Sequence, residues 1–279
     1  MTNRICRVAM VVALAAGGTA IAQPAAKAPA PKKGGKAVKV EVSPADLAAL
    51  HGAELEPAAK AAEVLGASTS PAAHEALLDA LALGLAPAVA VPAMTALGQH
   101  PAPPDVAALR RYAGHHTPGV RIAALATLAI YPDPAAHAAI VAGLKDPVGM
   151  VRTAAAGAAA KGRVKAAVEP LLALLAKGED SSARALAQLA DPALARKLAD
   201  QLGKIPEPQL ALALGAILKR ADFGPDEARV EIVRAIAKIQ DKAALDALSD
   251  YLATSPKTPP RASRTEAQMV LEARVGGGK

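Results

Sequence analysis

The sequence predicts an all-α fold of stacked helix pairs, and three observations carry that prediction. Alanine fills 74 of the 279 positions, a composition with high helix propensity whose small side chains let helices approach closely. Aromatic residues are limited to Tyr112, Tyr131, Phe223 and Tyr251, which leaves too little bulk for a β-sandwich or barrel core. From Ser43 onward, apolar-periodic stretches of 10–15 residues alternate with short Pro, Gly and Asp breaks, and no strand-like alternation competes with them.

Residues 1–22 read as an export signal. Arg4 and Arg7 precede a short apolar run from Val8 to Ala16, and Ala20-Ile21-Ala22 is a small-x-small cleavage pattern that places the mature start at Gln23. The run is interrupted by Gly17-Gly18 and is short for a bilayer span, although retention as an anchor is the alternative to cleavage. Cys6, the sole cysteine, precedes the apolar run, whereas a lipoprotein needs its cysteine just after the cleavage site. Cleavage therefore leaves a chain without disulfides, thiolate ligands or a cysteine nucleophile. The expected location is periplasmic or secreted, without a lipid anchor.

Residues 23–42 mix Pro, Ala, Gly and Lys and read as a disordered spacer. Lys27, Lys32, Lys33, Lys36 and Lys39 give it a charge suited to weak contact with an anionic envelope surface. The formal net charge of +7 resides in the chain's ends, because residues 41–255 carry 20 basic against 23 acidic side chains. A mildly acidic body with almost no aromatics lacks the basic face and stacking groups that nucleic-acid binding requires, so no nucleic-acid partner is expected.

Within the body, proline marks helix starts at Ser43-Pro44, Ser70-Pro71, Thr117-Pro118 and Asp133-Pro134, where its missing N–H costs nothing. Asp146-Pro147 and Asp191-Pro192 repeat the device with an acidic cap. Val120-Arg121-Ile122-Ala123-Ala124 returns 31 residues later as Val151-Arg152-Thr153-Ala154-Ala155, and Ser182-Ala183-Arg184-Ala185-Leu186 follows 32 residues on. Ala228-Arg229-Val230-Glu231 and Ser263-Arg264-Thr265-Glu266 form another such pair, 35 apart. A second helix follows each first one, with examples expected over 134–144, 163–177, 192–203 and 241–254. Two helices per period of 30–35 residues predict a right-handed α-solenoid of about six or seven stacked helix pairs over 43–275, with 276–279 as a flexible tail. Leu97, Leu125, Leu144, Leu171, Leu174, Ile217 and Leu248 are expected in its core.

The segment Asp146-Pro147-Val148-Gly149-Met150-Val151-Arg152-Thr153-Ala154-Ala155 resembles the HEAT repeat, in the short HEAT-like form also found in phycobilisome lyases. Thr117-Pro118-Gly119-Val120-Arg121 keeps the Val-Arg but lacks the Asp, and the 207–221 unit lacks the arginine. In that family Asp and Arg side chains link adjacent repeats. The resemblance therefore implies that Arg121, Asp146, Arg152 and Arg184 are structural struts of a repeat ladder.

Catalytic constellations are not legible. His51, His74, His100, His115, His116 and His137 occupy different repeat positions, and no H-x-x-x-H lies on a helix face, so no metal site is expected. His74-Glu75 resembles one of the His-Glu pairs of HEAT-like deoxyhypusine hydroxylases, which need several such pairs, and this chain has one. No G-x-S-x-G or phosphate-binding loop is present, and Glu179-Asp180, Asp226-Glu227 and Glu54-x-Glu56 stand at helix starts or turns, where they complement the dipole. No cofactor is expected. Arg110, Arg111, His115 and His116 form a local cationic spot at a turn and are the candidate partner contacts.

The function that follows is a non-enzymatic, exported scaffold of the bacterial envelope that binds a protein or peptide partner on its repeat surface. The alternatives are a structural envelope element attached through its basic spacer, and a lyase-like or accessory enzyme of the HEAT-like family.

Overall fold

The computed structural model describes residues 43–276. Two units are distinguished, Met1–Val38 and Lys39–Lys279, and every described residue belongs to the second. The export signal with Ala20, Ala22 and Gln23, the spacer with Lys27, Lys32, Lys33, Lys36 and Lys39, and residues 277–279 lie outside the described residues.

Among the described residues helices fill the alanine-rich stretches, and most of the breaks between them carry proline, glycine or aspartate. The order is α1 (Pro44–Leu50), α2 (Leu55–Ala67), α3 (Pro71–Leu83), α4 (Pro87–Leu97), α5 (Asp105–Ala113), α6 (Pro118–Leu128), α7 (Pro134–Gly143) and α8 (Gly149–Lys161). It continues with α9 (Val168–Ala176), α10 (Asp180–Leu189), α11 (Pro192–Ala199), α12 (Glu207–Leu218), α13 (Asp226–Ala237), α14 (Lys242–Thr254) and α15 (Ala262–Gly276). No strand occurs among the described residues. After the short α1, the helices fall into seven consecutive pairs, α2/α3 to α14/α15.

The pairs stack in two layers. Each even-numbered helix packs on the next, from α2 against α4 through to α12 against α14, and the most extensive contacts in the unit (α2 on α4, α12 on α14, α6 on α8 and α10 on α12) are of this kind. The odd-numbered helices form the second layer, with α3 on α5, α5 on α7, α11 on α13 and α13 on α15. The architecture is an all-α solenoid.

Small residues set the tightness of the even layer. A methyl added to Gly66 of α2 would lie 2.4 Å from Ala96 Cβ of α4, and one added to Gly215 of α12 would lie 2.8 Å from Ala247 Cβ of α14. Alanine against glycine is what the crossing tolerates. Leu97, Leu125, Leu144, Leu171, Leu174, Ile217 and Leu248 are all buried in one continuous core.

Prolines open α1, α3, α6, α7 and α11 at the positions read from sequence, with Asp133 and Asp191 capping α7 and α11 through Ala135, Ala136 and Leu194 amides. Three local expectations are corrected. The helix after Asp146-Pro147 begins later, at Gly149, because the Asp146 carboxylate accepts from the Val148 amide and turns toward Arg121. The helix expected over 163–177 begins at Val168, since Arg163 takes a left-handed φ of 51° and Lys165–Ala167 forms only a 3-10 turn. Helix α11 stops at Ala199, and a turn with Gly203 at φ 80° replaces the final residues expected in it.

Candidate functional site

The turns between pairs are held by an arginine ladder. Arg121 is the fourth residue of α6, and its Nε and Nη2 both donate to Asp146, each at 2.8 Å. Its Nη1 donates to the His115 and His116 carbonyls at 2.9 and 3.0 Å. Arg152 is the fourth residue of α8 and repeats the arrangement: Nη1 donates to the Asp146 and Pro147 carbonyls, and Nε donates to Glu179 at 2.8 Å. Each arginine thus stitches its own entry turn to the acid at the head of the next pair. The Arg121 guanidinium, through its two hydrogen bonds, holds the Asp146 carboxyl below the usual carboxylate range. The glutamate of Glu179-Asp180, read from sequence as complementing a helix dipole, is in fact the second rung's acceptor.

Arg184 does not join the ladder. It is the fifth residue of α10, while Ala183 stands at the fourth. One residue of shift rotates a helical side chain by about 100°, and Arg184 is exposed, with no ion pair among the described residues.

His115 fills the place of the missing acid one repeat before Asp146. Its Nδ1 accepts from the Thr117 amide at 3.0 Å, as Asp146 Oδ1 accepts from Val148 at 2.9 Å. His115 and His116 pack ring to ring at 4.1 Å. His115 is thereby engaged in the turn, whereas His116 is exposed.

The C-terminal pairs carry staples that sequence reasoning missed. Arg229 is 3% exposed and donates to the Leu218, Arg220 and Phe223 carbonyls. Burial pushes its pKa below the ordinary arginine value. Arg264 likewise donates to the Leu252 and Ser255 carbonyls. The Ala-Arg-x-Glu and Ser-Arg-x-Glu similarity, 35 residues apart, was the available signal. Their glutamates form ion pairs with the preceding odd helix, Glu231 with Arg196 and Glu266 with Arg234.

A polar cluster also lies inside the odd layer. Asp105 is fully buried; Oδ1 sits 2.6 Å from His74 Nε2, and Oδ2 accepts from the Tyr131 hydroxyl at 2.7 Å and the Ala102 amide at 2.8 Å. Burial first, and the Asp105 hydrogen bond second, push the Tyr131 phenol up. His74, Glu75 and His100 line a groove of 470 Å³ beside it. Among the described residues no group of three His, Cys, Asp or Glu is placed to hold a metal ion.

Further grooves open along the odd layer. One of 630 Å³ lies between α5 and α7, with Arg110, Arg111 and Asp146 at its rim and Ala138, Ala142 and Gly143 in its lining. The next, 520 Å³, continues past Asp146 to α9 and is edged by Lys145, Arg152, Lys177 and Glu179. Another, of 260 Å³, lies between α9 and α11. Of the four residues predicted as partner contacts, the structure brings Arg110 and Arg111 into one groove, while His115 and His116 stay on the adjoining turn.

The helix order and these interlocked turns define the class: an α-solenoid of paired helices. Residues 75–160 match the family model for HEAT repeats, a stretch that contains Asp105 and both ladder arginines, Arg121 and Arg152. Among solved structures, the complex of CpcE and CpcF of phycocyanin lyase from Nostoc sp. PCC7120 is similar at 21% identity, over 90% of this chain and 99% of that one, with a TM-score of 0.46. Kap121p is similar at 16% identity with a TM-score of 0.44; 82% of this chain aligns, and it spans 28% of that protein. A designed armadillo repeat protein is similar at 18% identity over 82% and 98% of the two chains, with a TM-score of 0.36. A search of the curated proteins finds no match for the chain.

Proposed function

We propose that this chain is an exported, non-enzymatic scaffold that holds a protein or peptide partner along its odd-numbered helix layer in the bacterial envelope. The observation that carries this reading is the run of open grooves between α3 and α11, each formed by neighbouring repeats. A surface built by repetition offers an extended contact area, which suits a macromolecule better than a small molecule. The Ala20-Ile21-Ala22 pattern after a short apolar run supports export with cleavage before Gln23. No helix among the described residues is long and apolar enough to cross a membrane.

Cross-linking capture of the tagged chain from the envelope fraction of the producing cell, with mass spectrometry of the adduct and of the chain's N-terminus, tests both parts. One dominant protein adduct on a chain beginning at Gln23 is the expected result. A chain retained in the cytoplasm, or a purified protein showing turnover abolished by a single substitution, overturns the reading. Deleting residues 23–40 is expected to leave partner capture intact. Release from wall or membrane fractions together with loss of all capture marks a structural element tethered by its lysines instead.

A further inference from the structure

The grooves of the odd layer carry an unbalanced positive charge that identifies a ligand class. Arg110 and Arg111 lie in the last turn of α5, Lys145 follows the cap of α7, and Lys177 caps α9. All four are exposed. The side chains of Arg110, Lys145 and Lys177 make no hydrogen bond or ion pair among the described residues, and that of Arg111 reaches only the Ala82 carbonyl, at 3.4 and 3.5 Å. The acids of the same grooves are already engaged: Asp146 by Arg121 and the Val148 amide, Glu179 by Arg152. In the next groove, between α9 and α11, Lys197 is paired with Glu169, while Lys165 has no side-chain partner among the described residues.

Cations at helix C-termini have a structural use, since the dipole places about half a negative charge there. Three helix ends offset roughly one and a half charges, which leaves a surplus of about two and a half on this face. The groove between α5 and α7 is lined by alanine and glycine of α7, so a bound chain meets methyl groups instead of long side chains. We infer that the seam from Arg110 to Lys177 binds an acidic linear segment of the partner protein, laid across the α5/α7 and α7/α9 grooves; this rests on the scaffold reading above. Neighbouring helices lie about 10 Å apart, and a bound chain in the polyproline-II conformation advances about 3.1 Å per residue with every third side chain on one face. Acidic side chains about three residues apart therefore meet successive cations.

The test is fluorescence anisotropy of the full chain with a labelled 12-residue peptide carrying glutamate at every third position among alanines. Parallel titrations use the lysine counterpart of that peptide and phosphatidylglycerol vesicles. The triple variant Arg110→Glu, Lys145→Glu, Lys177→Glu is compared with one in which Lys27, Lys32, Lys33, Lys36 and Lys39 become serine. Circular dichroism checks that each is folded, and single Lys145→Glu and Lys177→Glu variants replace the triple if it is not. The glutamate peptide is expected to bind the parent chain and the spacer variant alike, to weaken with salt, and to lose at least tenfold in affinity with the triple variant. No binding, equal binding by the triple variant, loss in the spacer variant instead, or vesicle binding with the same residue dependence each overturns the inference. Protein capture that survives in the triple variant retires the acidic segment and leaves the scaffold standing, whereas an absence of capture by the parent chain from every groove position retires both.

Discussion

At the residue scale, the ladder links sequence spacing to stability. Arg121 and Asp146 are about 11% and 10% exposed and form a bidentate pair, the geometry in which an ion pair is worth more than a surface contact. Asp146→Asn is expected to cost about 1–3 kcal/mol near neutral pH. Because the folded pKa of Asp146 lies below its unfolded value, the rung contributes fully above the unfolded pKa and is lost as pH falls through the folded one. Denaturation midpoints measured at successively lower pH should therefore converge for parent and variant; a gap that persists in acid assigns the stability to something other than this pair. Arg229→Ala should cost about 2–4 kcal/mol, since it strands three carbonyls, and Arg229→Lys should recover only part, because a single ammonium cannot span them. Chemical denaturation of the two variants checks both figures, and full recovery by lysine would refute the fork geometry.

How far these residues were legible depends on whether a contact repeats. Arg121, Arg152 and Asp146 announce themselves because the same types return at one period. Arg184 deceives because the eye matches it to Arg152, while α10 starts such that Ala183 holds the rung position. The Asp105 cluster was not legible: His74 and Asp105 are one period apart, but Tyr131 joins from the far side and the trio is not repeated among the described residues. Glu179 was read as a dipole partner because a helix-start acid satisfies that local rule before any tertiary one. His115 illustrates the converse, an imidazole lone pair doing what a carboxylate does one repeat later.

At the element scale, the even layer is governed by close approach and the odd layer by openings. Gly215→Ala places a methyl against Ala247 Cβ and is expected to destabilise by about 1–3 kcal/mol through overpacking. Gly157, mid-helix in α8, is exposed and has nothing within 4 Å of an added Cβ, so Gly157→Ala should stabilise by about 0.5–1 kcal/mol. Thermal unfolding of the two single variants gives shifts of opposite sign if the layers pack as described; same-sign shifts contradict it. Helix existence and most proline starts were plain in the sequence, because capping chemistry is local. The late start of α9 and the early end of α11 were not, since they depend on backbone turns at Arg163 and Gly203 that apolar periodicity does not register.

At the scale of the whole molecule, stability derives from neighbouring repeats, and so does the surface proposed for binding. Asp46, Glu54, Glu56, Glu63, Glu75 and Asp79 outnumber Lys60 in the first repeats, whereas α5 to α9 present the unpaired cations. A partner drawn to the basic seam is thereby steered away from the first repeats, an orientation that composition alone conceals. The period revealed the solenoid, but not which layer opens into grooves, because groove depth follows from packing between repeats.

The most direct measurement places a photoreactive residue at Ala142, exposed in the α5/α7 groove, and separately at Ala126, exposed on α6 of the even layer, in the producing cell. Irradiation is expected to yield one dominant protein adduct from position 142 and none from 126. Adducts of equal yield from both positions, or from neither, would contradict a partner-binding odd layer.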